Sequence, residues 1–145
     1  MTLAQWADNG WLKTHRTSRE EIGNLLSIVE RDLKDAESGI SADWRFGIAY
    51  NAAMKLCTIL LYTQGYRPLH GSHHYRTIMA LPLILGEGRK QDAEYLNACR
   101  IKRNTAEYDY AGVATDVDAN ELLAFSKEFK DDVEKWLERK HQDLA

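Results

Sequence analysis

What this chain has little of narrows its identity first. Its 145 residues include two cysteines and two prolines. Cys57 and Cys99 each sit in an apolar helical stripe, where a free thiol packs as a small hydrophobe. They make no disulfide framework and no Cys-x2-Cys metal spacing. No apolar run approaches the ~18–20 residues that span a bilayer. The opening Met1-Thr-Leu-Ala-Gln-Trp6 lacks the basic and apolar regions of a signal peptide. The expectation is a cytoplasmic protein with no membrane partner. There is no alternating strand pattern of useful length, no internal repeat and no low-complexity linker. Net charge is small too. A net charge of −3 with 28% charged residues is not the strongly basic footprint of most nucleic-acid binders.

What is present is helical periodicity, and the length suits a single domain, residues 1–145, with a short arm over residues 1–16. Leu3 to Ala7 reads as a helical arm, followed by an Asn9-Gly10 turn that buries an aromatic at Trp11. Ser18 to Ala36 is the clearest helix, with Ile22, Leu25, Leu26, Val29, Leu33 and Ala36 on one face. Ser18 and Glu21 have the spacing of a capping box. Ala42 to Gln64 is apolar nearly all round, so it is either central or faces both a core and a partner. His73 to Leu85 forms a third helix, which Pro82 should kink or shorten. Arg89 to about Tyr108 is the fourth, closed by Ala111-Gly112. Asp118 to Gln142 is the fifth, opened by a cap at Asp118-Ala-Asn-Glu121. Long helices with short connections predict an all-α, up-and-down bundle of four to five helices.

The charge is unevenly spread. Gly65 to Arg103 holds seven Lys/Arg and three Asp/Glu, a local +4, leaving −7 elsewhere. At the end of that basic stretch lies Arg100-Ile-Lys-Arg103-Asn104-Thr-Ala-Glu107-Tyr108-Asp-Tyr110. The order Arg-Asn, three residues, an aromatic, one residue, Tyr resembles the signature of HEPN domains, small all-helical domains of ribonuclease toxins and phage-defence proteins. The likeness extends to helix order from Ser18 to Leu137 and to the Gly65-Tyr-Arg-Pro68…His73-His74-Tyr75-Arg76 segment. Within that group the chain looks closest to bacterial members opening with Trp-x4-Trp-Leu, here Trp6 and Trp11-Leu12. The resemblance implies a homodimer, RNA or a nucleotide as ligand, no cofactor, and a phosphate clamp at Arg103 and Asn104, with Arg100 beside them.

One departure matters. The ribonuclease members carry histidine where this chain has Tyr108. RNA cleavage needs a proton taken from a 2′-hydroxyl and one given to the leaving oxygen, and histidine does both near neutral pH. Tyrosine, with a reference pKa of ~10, is a poor base there, though it can hydrogen-bond phosphate or stack on a base. A substitute base is available in His74, the first choice from the cluster His70, His73 and His74. No acidic residue joins that cluster before Glu87, and no His-Glu-x2-His spacing occurs, so no metal site is expected. At 100° per residue, Arg103 and Tyr110 fall within ~20° of each other, and Arg103 and Tyr108 lie ~140° apart. The resemblance also implies that Tyr110 could be adenylylated by a nucleotidyltransferase partner. Trp6, Trp11, Trp44 and Trp136 read as core and inter-helix anchors. Three functions stay open: an RNA- or nucleotide-associated protein of a toxin–antitoxin or phage-defence type with a degenerate ribonuclease site, a dimeric helical adaptor for a protein partner, and a metal-independent endoribonuclease using a substitute base.

Overall fold

The computed structural model describes residues 1–69, 73–108 and 110–145, the side chains of Glu107 and Tyr108 excepted. The chain is an all-α helical bundle. Helix α1 (Leu3–Asp8) leads into strand β1 (Leu12–Thr14), then α2 (Arg19–Asp35) and α3 (Ala42–Thr63). Strand β2 (Tyr66–Pro68) follows, then α4 (His73–Met79), α5 (Leu81–Leu85), a single 3-10 turn (Glu87–Arg89), α6 (Lys90–Tyr108) and α7 (Asp116–Lys140). No helix among the described residues is long and apolar enough to cross a membrane.

Helix α3 is the axis of the bundle. It packs against α2, α4, α5, α6, α7 and β2. Its sequence explains the position: between Ala42 and Thr63 only Asp43, Arg45 and Lys55 are charged. Phe46, Tyr50, Ala53, Leu56, Cys57 and Leu60 are buried, and so are Ala49, Ala52, Met54 and Ile59 behind them. The second apolar face is therefore covered by this chain's own helices and gives no support to pairing. Small residues on α3 let its neighbours approach closely. The Ser126 hydroxyl of α7 donates to the Ala49 carbonyl at 3.2 Å, wholly buried.

Arg45 fixes the end of the bundle where α2 stops and α3 and α7 start. Its Nε donates to the Ala36 carbonyl at 2.9 Å, one arm reaches Asn120, and the other lies 3.6 Å from Asp116. One guanidinium thus satisfies an orphan carbonyl at the end of α2 and places two acceptors of α7 beside the start of α3.

Local signals set the boundaries, with three differences from the sequence reading. Ser18 caps α2 by accepting from the Glu21 amide at 3.1 Å. The reciprocal half of the box is not made, because the Glu21 carboxylate instead accepts from Thr17 and pairs with His15 Nε2, both at 2.7 Å. Pro82 splits the third helix into α4 and α5 at Ala80, as its missing donor requires. Helix α7 begins at Asp116 rather than Asp118. Thr115 and Asp118 form its capping box, and Asp118 occupies the third helical position. The third difference is the ribbon of β1 and β2, antiparallel, with Leu12 opposite Pro68, Lys13 opposite Arg67 and Thr14 opposite Tyr66. Its three-residue strands are too short to leave a period in the sequence.

The ribbon and α1 close the far end of α3. Trp6, Leu12, Leu61 and Ala80 form a small second core there, with Leu3, Trp11, Tyr66 and Leu83 packed around it. The Arg76 guanidinium lies 3.6 Å from the ring centre of Trp11 and 5.5 Å from that of Trp6. Trp6 and Trp11 thus anchor the arm to its own bundle.

Candidate functional site

Arg103 stands on α6 against the small face of α3. A Cβ at Gly47 would stand 4.0 Å from the Arg103 side chain, an ordinary contact, so the Arg103 stem passes directly over this turn of α3. The Arg103 guanidinium carbon lies 5.6 Å from the ring centre of Tyr50, and its NH1 donates to Asn104 Oδ1 at 3.3 Å.

Tyr50 is fully buried, and its hydroxyl meets His74 Nδ1 at 3.1 Å. Arg103 and His74, predicted to approach one another, are joined through a residue whose sequence suggested only core packing. Burial pushes the Tyr50 phenol well above its usual range. Burial, then His73, Arg103, Lys55 and Arg100, pull His74 down to about 4. Both groups are neutral at pH 7. The phenol has one proton, and among the described residues Nδ1 is the one hydrogen-bond partner of its hydroxyl. Either the phenol donates to Nδ1, or a protonated Nδ1 donates to the phenol oxygen, according to the tautomer of His74.

The charges around His74 form a cationic group. Lys55 comes from α3, His73 from α4, and Arg100 and Arg103 from α6. Arg100 donates to Asn97 Oδ1 at 2.9 Å and stands 5.9 Å from the ring of Tyr75. Among the described residues, no carboxylate pairs with Lys55 or Arg100. The rings of His73 and His74 meet edge to face at 4.7 Å. Among the described residues, no group of three His, Cys, Asp or Glu is placed to hold a metal. His70 and the side chain of Tyr108 lie outside the described residues.

On its other side Arg103 lines an open cleft of about 630 Å³. One wall is the first turns of α3, with Trp44 and Gly47; the other is the end of α6 and the connection to α7, with Ala106, Tyr110 and Gly112. Trp44 is 60% exposed and Tyr110 70%, so Trp44 is not the core anchor its size suggested. It stands two residues before Phe46, ~200° round the helix, and so faces away from the buried stripe. Tyr110 shares the cleft with Arg103 for a different reason from the expected helical phase. It lies beyond α6, which ends at Tyr108. Its amide donates back to the Thr105 carbonyl at 3.0 Å.

Asp43 holds that connection. Its carboxylate accepts from the Gly112 amide at 2.6 Å and the Ala114 amide at 2.9 Å. Gly112 has φ +78°, a conformation that suits glycine. The two cysteines play no part in the site. Burial pushes Cys57 up to about 12 and Cys99 up to about 11, leaving both thiols protonated and unreactive.

Reading the sequence missed Tyr50 and Lys55 as site residues and placed Trp44 in the core. Lys55 had a signal, as the lone charge in the apolar run Ala52–Leu61. Comparison with family profiles, with curated proteins and with solved structures returned no match.

Proposed function

We propose that this HEPN-like chain binds single-stranded RNA or a nucleotide, in a toxin–antitoxin or phage-defence setting, through a degenerate ribonuclease site. The observation that carries the reading is the position of Arg103. It has neutral His74 flanked by Arg100 and Lys55 on one side and a cleft with exposed Trp44 and Tyr110 on the other. Guanidinium and ammonium groups suit phosphate oxygens. Exposed aromatic faces stack on bases with little sequence preference. Asn104 and Arg100, one turn apart on α6, supply further donors.

Binding is favoured over cleavage for a chemical reason. Arg103 can stabilise charge on a phosphate, but general acid–base work needs a proton carrier poised near pH 7. His74, held near 4 with Nδ1 engaged by Tyr50, is neutral near pH 7, so it is neither charged for acid work nor more than a weak base. The test is fluorescence anisotropy with labelled single-stranded RNA. Binding without cleavage, weakened by Arg103→Ala, is expected; robust cleavage that depends on both Arg103 and His74 would instead establish the endoribonuclease.

The adaptor reading has an observation of its own. Ile40, Trp44, Tyr110 and Val117 are all exposed near this end of the bundle, and exposed apolar groups mark protein contacts when they gather. A homodimer meeting through this end, rather than through α3, would put two Arg103 side chains near one another, and light scattering at micromolar concentration tests it. Tyr110 is open enough to accept an adenylyl group. An added phosphodiester would place negative charge beside Arg103 and compete with RNA. Co-expression with a neighbouring nucleotidyltransferase, followed by peptide mass mapping of Tyr110 and of a Tyr110→Phe control, tests that partner.

A further inference from the structure

Two cations are held where α3, α4 and α6 pack against one another, in a way that folding alone does not favour. Lys55 and Arg100 are both half-buried, and among the described residues neither has a carboxylate partner. A charge drawn out of water costs free energy unless it is paired. Arg100 Nε donates to Asn97 Oδ1 at 2.9 Å, and its two terminal nitrogens make no hydrogen bond among the described residues. Those nitrogens, the Lys55 ammonium and His74 Nε2 are not sealed away from water. All of them are open to a ligand.

His74 lies between these cations. Its Nδ1 is taken by the Tyr50 hydroxyl at 3.1 Å, so Nε2 is the nitrogen left to face a ligand. The groups that act on the ring are Tyr50 and Lys55 on α3, His73 on α4, and Arg100 and Arg103 on α6. No carboxylate is among them. His74 Nε2, the Lys55 ammonium and the Arg100 guanidinium thus come from three different helices. A phosphodiester inside a strand offers two free oxygens and a single charge. A phosphomonoester offers three, with a charge of about −1.5 to −2 at pH 7. Three donors on three sides, two of them cations without an acid, suit the monoester.

We infer that Lys55, Arg100 and His74 receive a terminal phosphate, so that the ligand is a nucleotide or an RNA strand that ends in a phosphomonoester. The inference rests on the RNA-binding reading of the Arg103 site and names the part of the ligand that is held beside it. Trp44 and Tyr110, exposed in the cleft that Arg103 also lines, favour a nucleotide over a phosphorylated protein side chain. Negative charge beside an imidazole favours its protonated form. A bound monoester therefore draws a proton onto His74. Nδ1–H then donates to the Tyr50 oxygen and Nε2–H to the phosphate.

The test uses the full chain and a labelled ten-nucleotide single-stranded RNA made three ways: with hydroxyls at both ends, with a 5′-phosphate and with a 3′-phosphate. One phosphorylated strand should bind about tenfold more tightly than the hydroxyl strand, the effect of a single charge-assisted hydrogen bond. In Lys55→Gln that ratio should fall to about one, for the loss of the same contact. A folding defect weakens every strand alike and leaves the ratio, so the ratio reads the site. Adenosine 5′-monophosphate that displaces the strand at equal concentration identifies a nucleotide as the ligand; displacement only in excess identifies the strand end. In NMR titrations, with His74→Gln to assign the ring signal, the monophosphate should raise the His74 midpoint by about one pH unit or more, and adenosine should leave it in place. Equal binding of the three strands, still weakened by Arg103→Ala, together with an unmoved His74 midpoint, would overturn the terminal-phosphate site and leave the Arg103 reading standing. If the wild type binds neither strand nor monophosphate, the underlying reading fails and the inference with it. A phosphoserine peptide bound more tightly than either phosphorylated strand would assign the place to a protein partner and overturn the inference.

Discussion

The two ends of α3 are built from the same kinds of residue and are finished differently. At the C-terminal end, Arg76 stacks on Trp11 and Trp6, and the arm of α1 and β1 seals the group; Trp6 is 7% exposed. At the N-terminal end, Arg103 and Trp44 line a cleft that no segment among the described residues fills, and Trp44 is 60% exposed. An arginine and a tryptophan form a fastener in the first place and, in the function proposed above, a receptor surface in the second. Composition cannot separate the two uses. What separates them is whether the chain supplies its own cover, since buried aromatic area stabilises folding, whereas exposed aromatic area is left over for a ligand.

The comparison breaks most readily on stability. Trp6→Ala should cost about 3 kcal/mol, in the range for emptying a buried aromatic site, while Trp44→Ala should cost less than ~0.5 kcal/mol, as surface substitutions do. Urea denaturation of both variants measures the gap. Equal losses would mean that the cleft end is part of the core after all.

A second difference is in pH. His74 is pulled down to about 4 from an ordinary 6.5. Between those values the unfolded chain binds the proton more readily than the folded one, so unfolding is favoured as pH falls. The stability from neutral His74 is complete above about pH 6.5 and is lost progressively as pH drops towards 4. Discounted for partial exposure, the loss is on the order of 1 kcal/mol. His74→Gln should flatten the denaturation midpoint over that window; a slope unchanged in the variant would assign it to other groups.

A smaller effect concerns the loop opposite Trp44. Asp43→Ala removes two charge-assisted bonds to the Gly112 and Ala114 amides and should destabilise by about 1–2 kcal/mol. It should also speed amide exchange over residues 110–114 without changing exchange in the arm. Faster exchange at both ends would show that the two regions are coupled.

Much of the architecture was legible in the sequence. The Ser18 cap, the all-round apolar character of α3 and the break at Pro82 are local, and local signals survive without tertiary information. The start of α7 was misplaced by two residues because Thr115 lies outside the apolar period that located the helix. The ribbon was not legible, since its strands are three residues long and far apart in the chain. Of the site, Arg103 and His74 could be named from the motif and the histidine cluster. Their link could not, because nothing local distinguishes Tyr50 from a core tyrosine whose hydroxyl reaches elsewhere. Trp44 was legible and misread: its phase against Phe46 and Tyr50 already turned it outward.

The RNA-phosphate site proposed for Arg103 stands at the open end of α3. The most direct measurement is the anisotropy of a labelled single-stranded RNA titrated with wild type and with Arg103→Ala across a salt series. Salt-dependent binding by the wild type is expected. The variant should bind at least about tenfold more weakly, with a log K–log salt slope shallower by roughly 0.7, and an unchanged melting temperature. Absence of binding by the wild type, or identical curves for the two proteins, would contradict it.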